Sequence, residues 1–158
     1  MNTQATPNTP DTATVTFLDA LNSATGPAIE TLTPAEAREV LAGAQRSVPV
    51  DVSGIDVTRR TVEQDGLVVS LVVVKPQDSR GVLPVFMFFH GGGWILGDYP
   101  THERLVRDLV VQSGSAAVFV EYTPSPEARY PVAINEAYAA TKWVAAHGII
   151  ILTPVYWY

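Results

Sequence analysis

The segment His90-Gly91-Gly92-Gly93-Trp94 is the part of this sequence best equipped for chemistry. It follows an apolar run, Leu83-Pro84-Val85-Phe86-Met87-Phe88-Phe89, that reads as a buried strand. Three glycines in a row let the chain fold tightly and bring several backbone N–H groups near one point, because no Cβ blocks another molecule's approach to the peptide plane. Donors placed this way can hold an oxyanion as it develops on a carbonyl under attack. The plainer alternative is a tight strand-to-helix turn without a ligand. Gly91, Gly92 and Gly93 are therefore the candidate donors, with His90 and Trp94 as supporting residues, His90 in particular orienting the glycine loop.

Other chemistries fit these residues less well. Gly91 and Gly93 after a strand, with Glu121 ending the next one, imitate a dinucleotide-binding fingerprint. Leu96, however, stands where the third glycine belongs, and Asp98-Tyr99-Pro100 separates the glycines from the helix that should receive a pyrophosphate. A phosphate loop would need Gly-Lys-Ser/Thr, which is absent. His102-Glu103 has no second histidine at HExxH spacing, and with no cysteine in the chain no metal site is expected, nor any cofactor. Ser115 lacks the flanking glycines of G-x-S-x-G and begins a strand rather than ending one, so it reads as structural. His147 suits the last turn of a helix. Trp94, Tyr99, Tyr122 and Tyr130 could form an aromatic cage, although packing is the commoner use of such rings.

The elements that must position these residues can be read from periodicity. Residues 1–14, rich in threonine and proline, read as a disordered leader. Val15, Leu18 and Leu21 fit a short helix ended by Gly26-Pro27. Thr33, Pro34 and Glu36 form a capping box ahead of Ala37, Val40, Leu41 and Ala44 at helical spacing, in a helix that stops before Pro49. Runs from about Ile55 to Gln64 and from Leu67 to Lys75, joined by Asp65-Gly66, predict an antiparallel hairpin. The strand Leu83–Phe89, apolar on both faces, is expected near the centre of the sheet, covered by helices on both sides. Then come a helix from Thr101 to Gln112 with Leu105, Val106, Leu109 and Val110 at helical spacing, a strand Ala116–Val120, and a helix opened by Pro131 that uses Ile134, Ala137, Tyr138 and Thr141 as one stripe and is capped by Gly148. The order implies an α/β fold with a mixed sheet wound by helices.

Composition narrows the partners. The chain has 158 residues and a net charge of −6, with 47% hydrophobic and 16% charged residues. This suits one buried-core domain and argues against a nucleic-acid partner, which would need a clustered basic face. No apolar window reaches the length of a membrane span and the start does not read as a secretory signal, so a cytoplasmic protein is expected. The uncharged stretch Ile149–Tyr158 fits no planned element and reads as an atypical apolar tail.

Two motifs in order carry a family resemblance. His90-Gly91-Gly92-Gly93-Trp94 with Gly97-Asp98 and His102, then Tyr122-Thr123-Pro124-Ser125-Pro126-Glu127-Ala128-Arg129-Tyr130-Pro131, resemble the hormone-sensitive-lipase family of bacterial carboxylesterases. The resemblance implies an α/β-hydrolase-like fold, of which residues 49–148 would be the N-terminal half of the core and residues 15–48 cap helices. It also implies hydrolysis of small acyl esters through a serine acyl-enzyme, with the glycine loop as part of the oxyanion hole. Thr123 and Pro124 replace the family's usual arginine and leucine, which should weaken side-chain pairing around that loop. The G-x-S-x-G elbow and the family's acid and base do not occur in these 158 residues. No nucleophile is assigned, and the chain alone is expected to be nearly inert. The alternative is a truncated, inactive fragment or binding module that associates with itself through an exposed sheet edge.

Overall fold

The computed structural model describes residues 10–23 and 26–147. The start of the expected leader, the Gly148 cap and the 149–158 tail lie outside these residues. The chain divides into two compact units, Met1–Leu32 and Thr33–Tyr158.

In the first unit, α1 runs over Thr12–Asn22 and a 3-10 turn over Ile29–Thr31. The helix begins three residues before the expected Val15, so residues 12–14 are not part of a structureless leader. Asp11 explains this, since its Oδ1 accepts the Thr14 N–H at 2.8 Å in the manner of an N-cap.

The second unit opens with α2, Pro34–Arg46, held by the anticipated Thr33–Glu36 capping box. The hairpin follows as β1 (Ile55–Gln64) and β2 (Leu67–Pro76), turning on Asp65 and Gly66 at φ of 55° and 74°. Then come β3 (Val85–Phe88), α3 (Tyr99–Ser113), β4 (Ala116–Glu121) and α4 (Val132–His147). The sheet order is β1-β2-β4-β3, with β2 antiparallel and β3 parallel to β4.

Strand alternation divides the core between two faces. Leu71, Val118 and Val120 face Ala139, Ala140 and Val144 of α4, whereas Val72, Val74, Ala117 and Phe119 face Val106 and Val110 of α3. The sheet is thus covered by a helix on each side, and Phe119 is fully buried beneath the end of β3.

Four expectations are corrected. β3 is not central: among the described residues it pairs with β4 alone and its side chains are only half-buried, while β4 occupies the inner position. Its ladder is also shorter than Leu83–Phe89, beginning after Pro84, whose carbonyl accepts the Ala116 N–H at 2.8 Å. α3 starts at Tyr99, because Asp98 caps it reciprocally with Thr101 and Pro100 fits its first turn. α4 buries Glu136, Ala139, Ala140 and Val144, leaving Ile134 and Tyr138 exposed, because small side chains let the helix lie close to the sheet.

Candidate active site

β3 delivers the chain to His90, whose side chain is buried at 8% exposure. Its ring stacks on Tyr122 at 4.4 Å and on Phe119 at 5.4 Å, nearly parallel to both. The Tyr122 hydroxyl donates to the His90 carbonyl at 2.6 Å. His90 Nδ1 lies 2.8 Å from the Gly91 carbonyl and 3.2 Å from the Tyr122 oxygen. With the tyrosine proton already committed, both neighbours of Nδ1 are acceptors, so the network assigns the proton to Nδ1, which donates to Gly91. Burial pushes His90 below its ordinary value of 6.5, keeping it neutral, and pushes Tyr122 up to about 12, keeping it a donor.

The glycine loop departs from this anchor. Gly92, Gly93 and Trp94 have φ of 117°, 63° and 63°. A Cβ on Gly92 would lie 2.1 Å from the Leu96 carbonyl oxygen, so only glycine fits there. The Gly92 carbonyl accepts the N–H groups of Ile95 at 3.2 Å and Leu96 at 2.9 Å, rolling the loop into one turn. Trp94 is a bulky residue in the left-handed region, a strained conformation that functional loops tend to retain. Gly97 closes the turn, where a Cβ would lie 2.6 Å from His90 Nδ1 and 2.9 Å from the Gly91 oxygen. Among the described residues, no protein acceptor takes the N–H groups of Gly91, Gly92 or Gly93, and all three residues are exposed.

The segment after β4 braces the loop. Ser125 N–H donates to the Trp94 carbonyl at 2.7 Å. Thr123 donates through both N–H (2.6 Å) and Oγ1 (2.9 Å) to Glu136, a buried carboxylate on α4. From α2, Arg38 Nε donates to the Ile95 carbonyl at 2.7 Å, Nη2 to the Ser125 carbonyl at 2.8 Å, and the two terminal nitrogens to Glu127 at 2.6 and 2.8 Å. Arg38 and Glu136 supply the pairing that Thr123 and Pro124 were expected to weaken. A cavity of about 220 Å³ lies against these bracing side chains, lined by Arg38, His90, Gly97, Asp98, Glu121 and Tyr122 but not by the three glycines.

A family model for the alpha/beta hydrolase fold matches residues 86–154, a span that begins in β3 and contains both loops. The esterase from Pseudomonas putida ECU1011 superposes with a TM-score of 0.85 at 58% identity, covering 91% of this chain and 45% of that one. The chain carries part of an α/β-hydrolase fold similar to that of the hormone-sensitive-lipase-like esterases. Among curated relatives, the carboxylesterase NlhH of Mycobacterium tuberculosis is 36% identical over 118 residues, covering 72% of this chain and 37% of the relative. Esterase LipI of the same organism is 37% identical over 106 residues, covering 59% and 33% respectively. The chain spans about a third of these curated relatives, and so carries only part of the hydrolase fold.

Of the residues singled out from sequence, His90, the three glycines, Trp94 and Tyr122 come together in this hydrolase loop. Tyr99 and Tyr122 pack in the interior while Trp94 and Tyr130 are exposed, so the four aromatic residues do not form one cage. His102 lies on α3 with its ring 5.4 Å from that of His90. Ser115 lies outside the loop, its N–H bonded to Ser113 Oγ. No group of three His, Cys, Asp or Glu among the described residues is placed to hold a metal ion. The dinucleotide alternative loses one objection, since α3 begins at Tyr99. It gains a stronger one, because the Asp98 carboxylate occupies the helix N-terminus where a pyrophosphate would have to sit. Arg38 and Glu136 were missed. Glu136 carried a usable signal, a lone carboxylate among Ala133, Ala137, Ala139 and Ala140, whereas Arg38 reads as an ordinary polar position on a helix.

Proposed function

We propose that this chain supplies the oxyanion-stabilising part of a serine carboxylesterase site acting on small acyl esters, with the N–H groups of Gly91, Gly92 and Gly93 as donors and His90 and Trp94 supporting them. The observation that carries this reading is a strained, exposed turn whose three glycine N–H groups have no protein acceptor among the described residues and which is anchored by a buried histidine. Donors fixed before the reaction need no reorganisation as charge moves onto the carbonyl oxygen, which is how such groups lower a barrier. The serine attacks the ester carbonyl, the tetrahedral oxyanion collapses with loss of the alcohol, and water hydrolyses the acyl-enzyme. This reading places the serine, its base and its acid in the region of the relatives that has no counterpart here.

The test is a chimera of the Pseudomonas putida esterase in which residues 33–147 of this chain replace the matching segment, assayed with p-nitrophenyl acetate. Hydrolysis is expected, and Gly92→Ala should lower kcat by about 10²–10³-fold. A folded chimera without activity overturns the reading. The 158-residue chain alone, treated with a fluorophosphonate and weighed intact, should carry no adduct; an adduct on Ser115 or Ser125 would place a nucleophile inside the chain.

A second reading, self-association, is supported by β3, which pairs on one side only among the described residues. Sedimentation at two concentrations decides it, with a concentration-independent monomer counting against it.

A further inference from the structure

We propose that Arg38 is a positioning residue that fixes the glycine loop by tying it to the segment after β4, and that this depends on the planar fork of its guanidinium rather than on its charge. The proposal rests on the reading of the loop as an oxyanion site only for its catalytic consequence; the structural claim stands without it.

Arg38 engages three targets on two separate segments of the second unit. Nε takes the Ile95 carbonyl, which lies within the turn closed by Gly92; Nη2 takes the Ser125 carbonyl; and Nη1 and Nη2 together take both oxygens of Glu127. Four of its five N–H groups are thereby used, in directions that only a rigid, planar donor set can serve at once. Its side chain is 29% exposed and that of Glu127 51% exposed, so the ion pair by itself contributes little. The Glu127 carboxylate instead orients the guanidinium, leaving two donors aimed at carbonyls on the two facing segments. Ser125 N–H to the Trp94 carbonyl, at 2.7 Å, joins the same two segments directly, so the loop is held at Trp94 and at Ile95, the two residues that follow the glycines. Lysine would keep the charge but has a compact ammonium that cannot span these acceptors, and glutamine would lose both.

The primary test is amide exchange, read residue by residue in the full 158-residue chain, which requires no catalysis. In Arg38→Lys the Ile95 and Leu96 amides, whose acceptor is Gly92, should exchange about tenfold faster, as expected for the loss of one or two hydrogen bonds. The β4 amides of residues 117–120 should be unchanged, which separates loosening of the loop from loss of the fold. Glu127→Gln keeps Arg38 and an acceptor oxygen and should give a smaller increase at the same two amides; it also decides the matter if the Arg38 variants do not fold. Wild-type exchange at Ile95 and Leu96 in folded Arg38→Lys, or in Glu127→Gln should Arg38→Lys not fold, overturns the proposal, as does full rescue by lysine of a defect seen in Arg38→Gln. In the active chimera, Arg38→Lys should lower kcat with little change in KM, because the loop's donors act on the transition state. A chimera inactive even with Arg38 in place would refute the proposed function while leaving the exchange result to decide the role of Arg38.

Discussion

Substituting Gly92 by alanine should damage the loop far more than the same change at its neighbour Gly91. A Cβ at Gly92 would sit 2.1 Å from the Leu96 carbonyl oxygen, whereas real Cβ atoms essentially never come within 3.0 Å of another heavy atom, so that backbone must retreat by about 0.9 Å. The retreat opens the turn in which Gly92 accepts from Ile95 and Leu96, two hydrogen bonds worth about 0.5–1.5 kcal/mol each. The φ of 117° adds about 1–3 kcal/mol for any residue with a side chain. Together the local cost is about 2–6 kcal/mol. Because residues 91–95 are exposed, the loop can rearrange without unmaking the core, and the global loss should be smaller, about 1–2 kcal/mol. Gly91 has open space around its Cβ direction and a φ outside the left-handed region, so Gly91→Ala should stay within about 0.5 kcal/mol of wild type. Urea unfolding followed by circular dichroism measures the global term, and exchange of the Ile95 and Leu96 amides measures the local one. If Gly92→Ala matches wild type in both, or if Gly91→Ala is the more damaging, the turn described here is not the one the chain adopts.

Tyr122→Phe removes the donor to the His90 carbonyl while keeping the ring stack, and should lower unfolding stability by about 1–2 kcal/mol in the same urea assay. Phe119→Ala empties the position beneath Phe88, His90 and Tyr99 and should cost about 3–5 kcal/mol, seen as a large fall in Tm. Two of the groups that brace the loop contribute acid sensitivity, and both signs follow from linkage. His90, held below 6.5 by burial, binds its proton more readily when unfolded, so its contribution is lost as pH falls below 6.5; His90→Gln should flatten that part of a stability-against-pH curve. Glu127, held at about 2 by Arg38, contributes above its ordinary 4.5 and loses that contribution between 4.5 and 2, so the gap between wild type and Glu127→Gln should close across that window.

Local signals located the elements and the loop because each was written in a few adjacent residues. The Thr33–Glu36 box, the Asp65-Gly66 turn and the glycine triplet each state their geometry within four residues, and the structure follows them. Where the sequence misled, the deciding interaction was distant or size was mistaken for burial. On α4 the large apolar residues Ile134 and Tyr138 suggested a buried stripe, yet the sheet takes the face of Ala139, Ala140 and Val144 because small residues permit close approach. The two-sided apolar run of β3 reads as an inner strand, but strand order is a property of the whole sheet, and among the described residues it has one partner. Arg38 was illegible for the same reason, since its acceptors lie 57 residues away at Ile95 and 87 at Ser125, and nothing in the spacing of a helix reports them.

The bracing of the loop explains why an exposed, strained turn can persist. Trp94 and Gly92 hold conformations that an isolated peptide would leave, and the exposed loop has little burial of its own to offset them. The stabilisation comes from elements that are themselves buried or capped: His90 stacks on the ring of Phe119 in β4 and on that of Tyr122 just after it, Glu136 on α4 fixes the segment after β4 through Thr123, and that segment holds Trp94 through Ser125. Arg38 on α2 closes the circuit at Ile95. Each brace acts on a carbonyl of the loop or on a side chain, and none consumes a glycine N–H. Among the described residues the N–H groups of Gly91, Gly92 and Gly93 therefore stay free of protein acceptors, while those of Ile95 and Leu96 close the turn on Gly92. Fixed donors left free in this way are the condition that the proposed oxyanion site imposes.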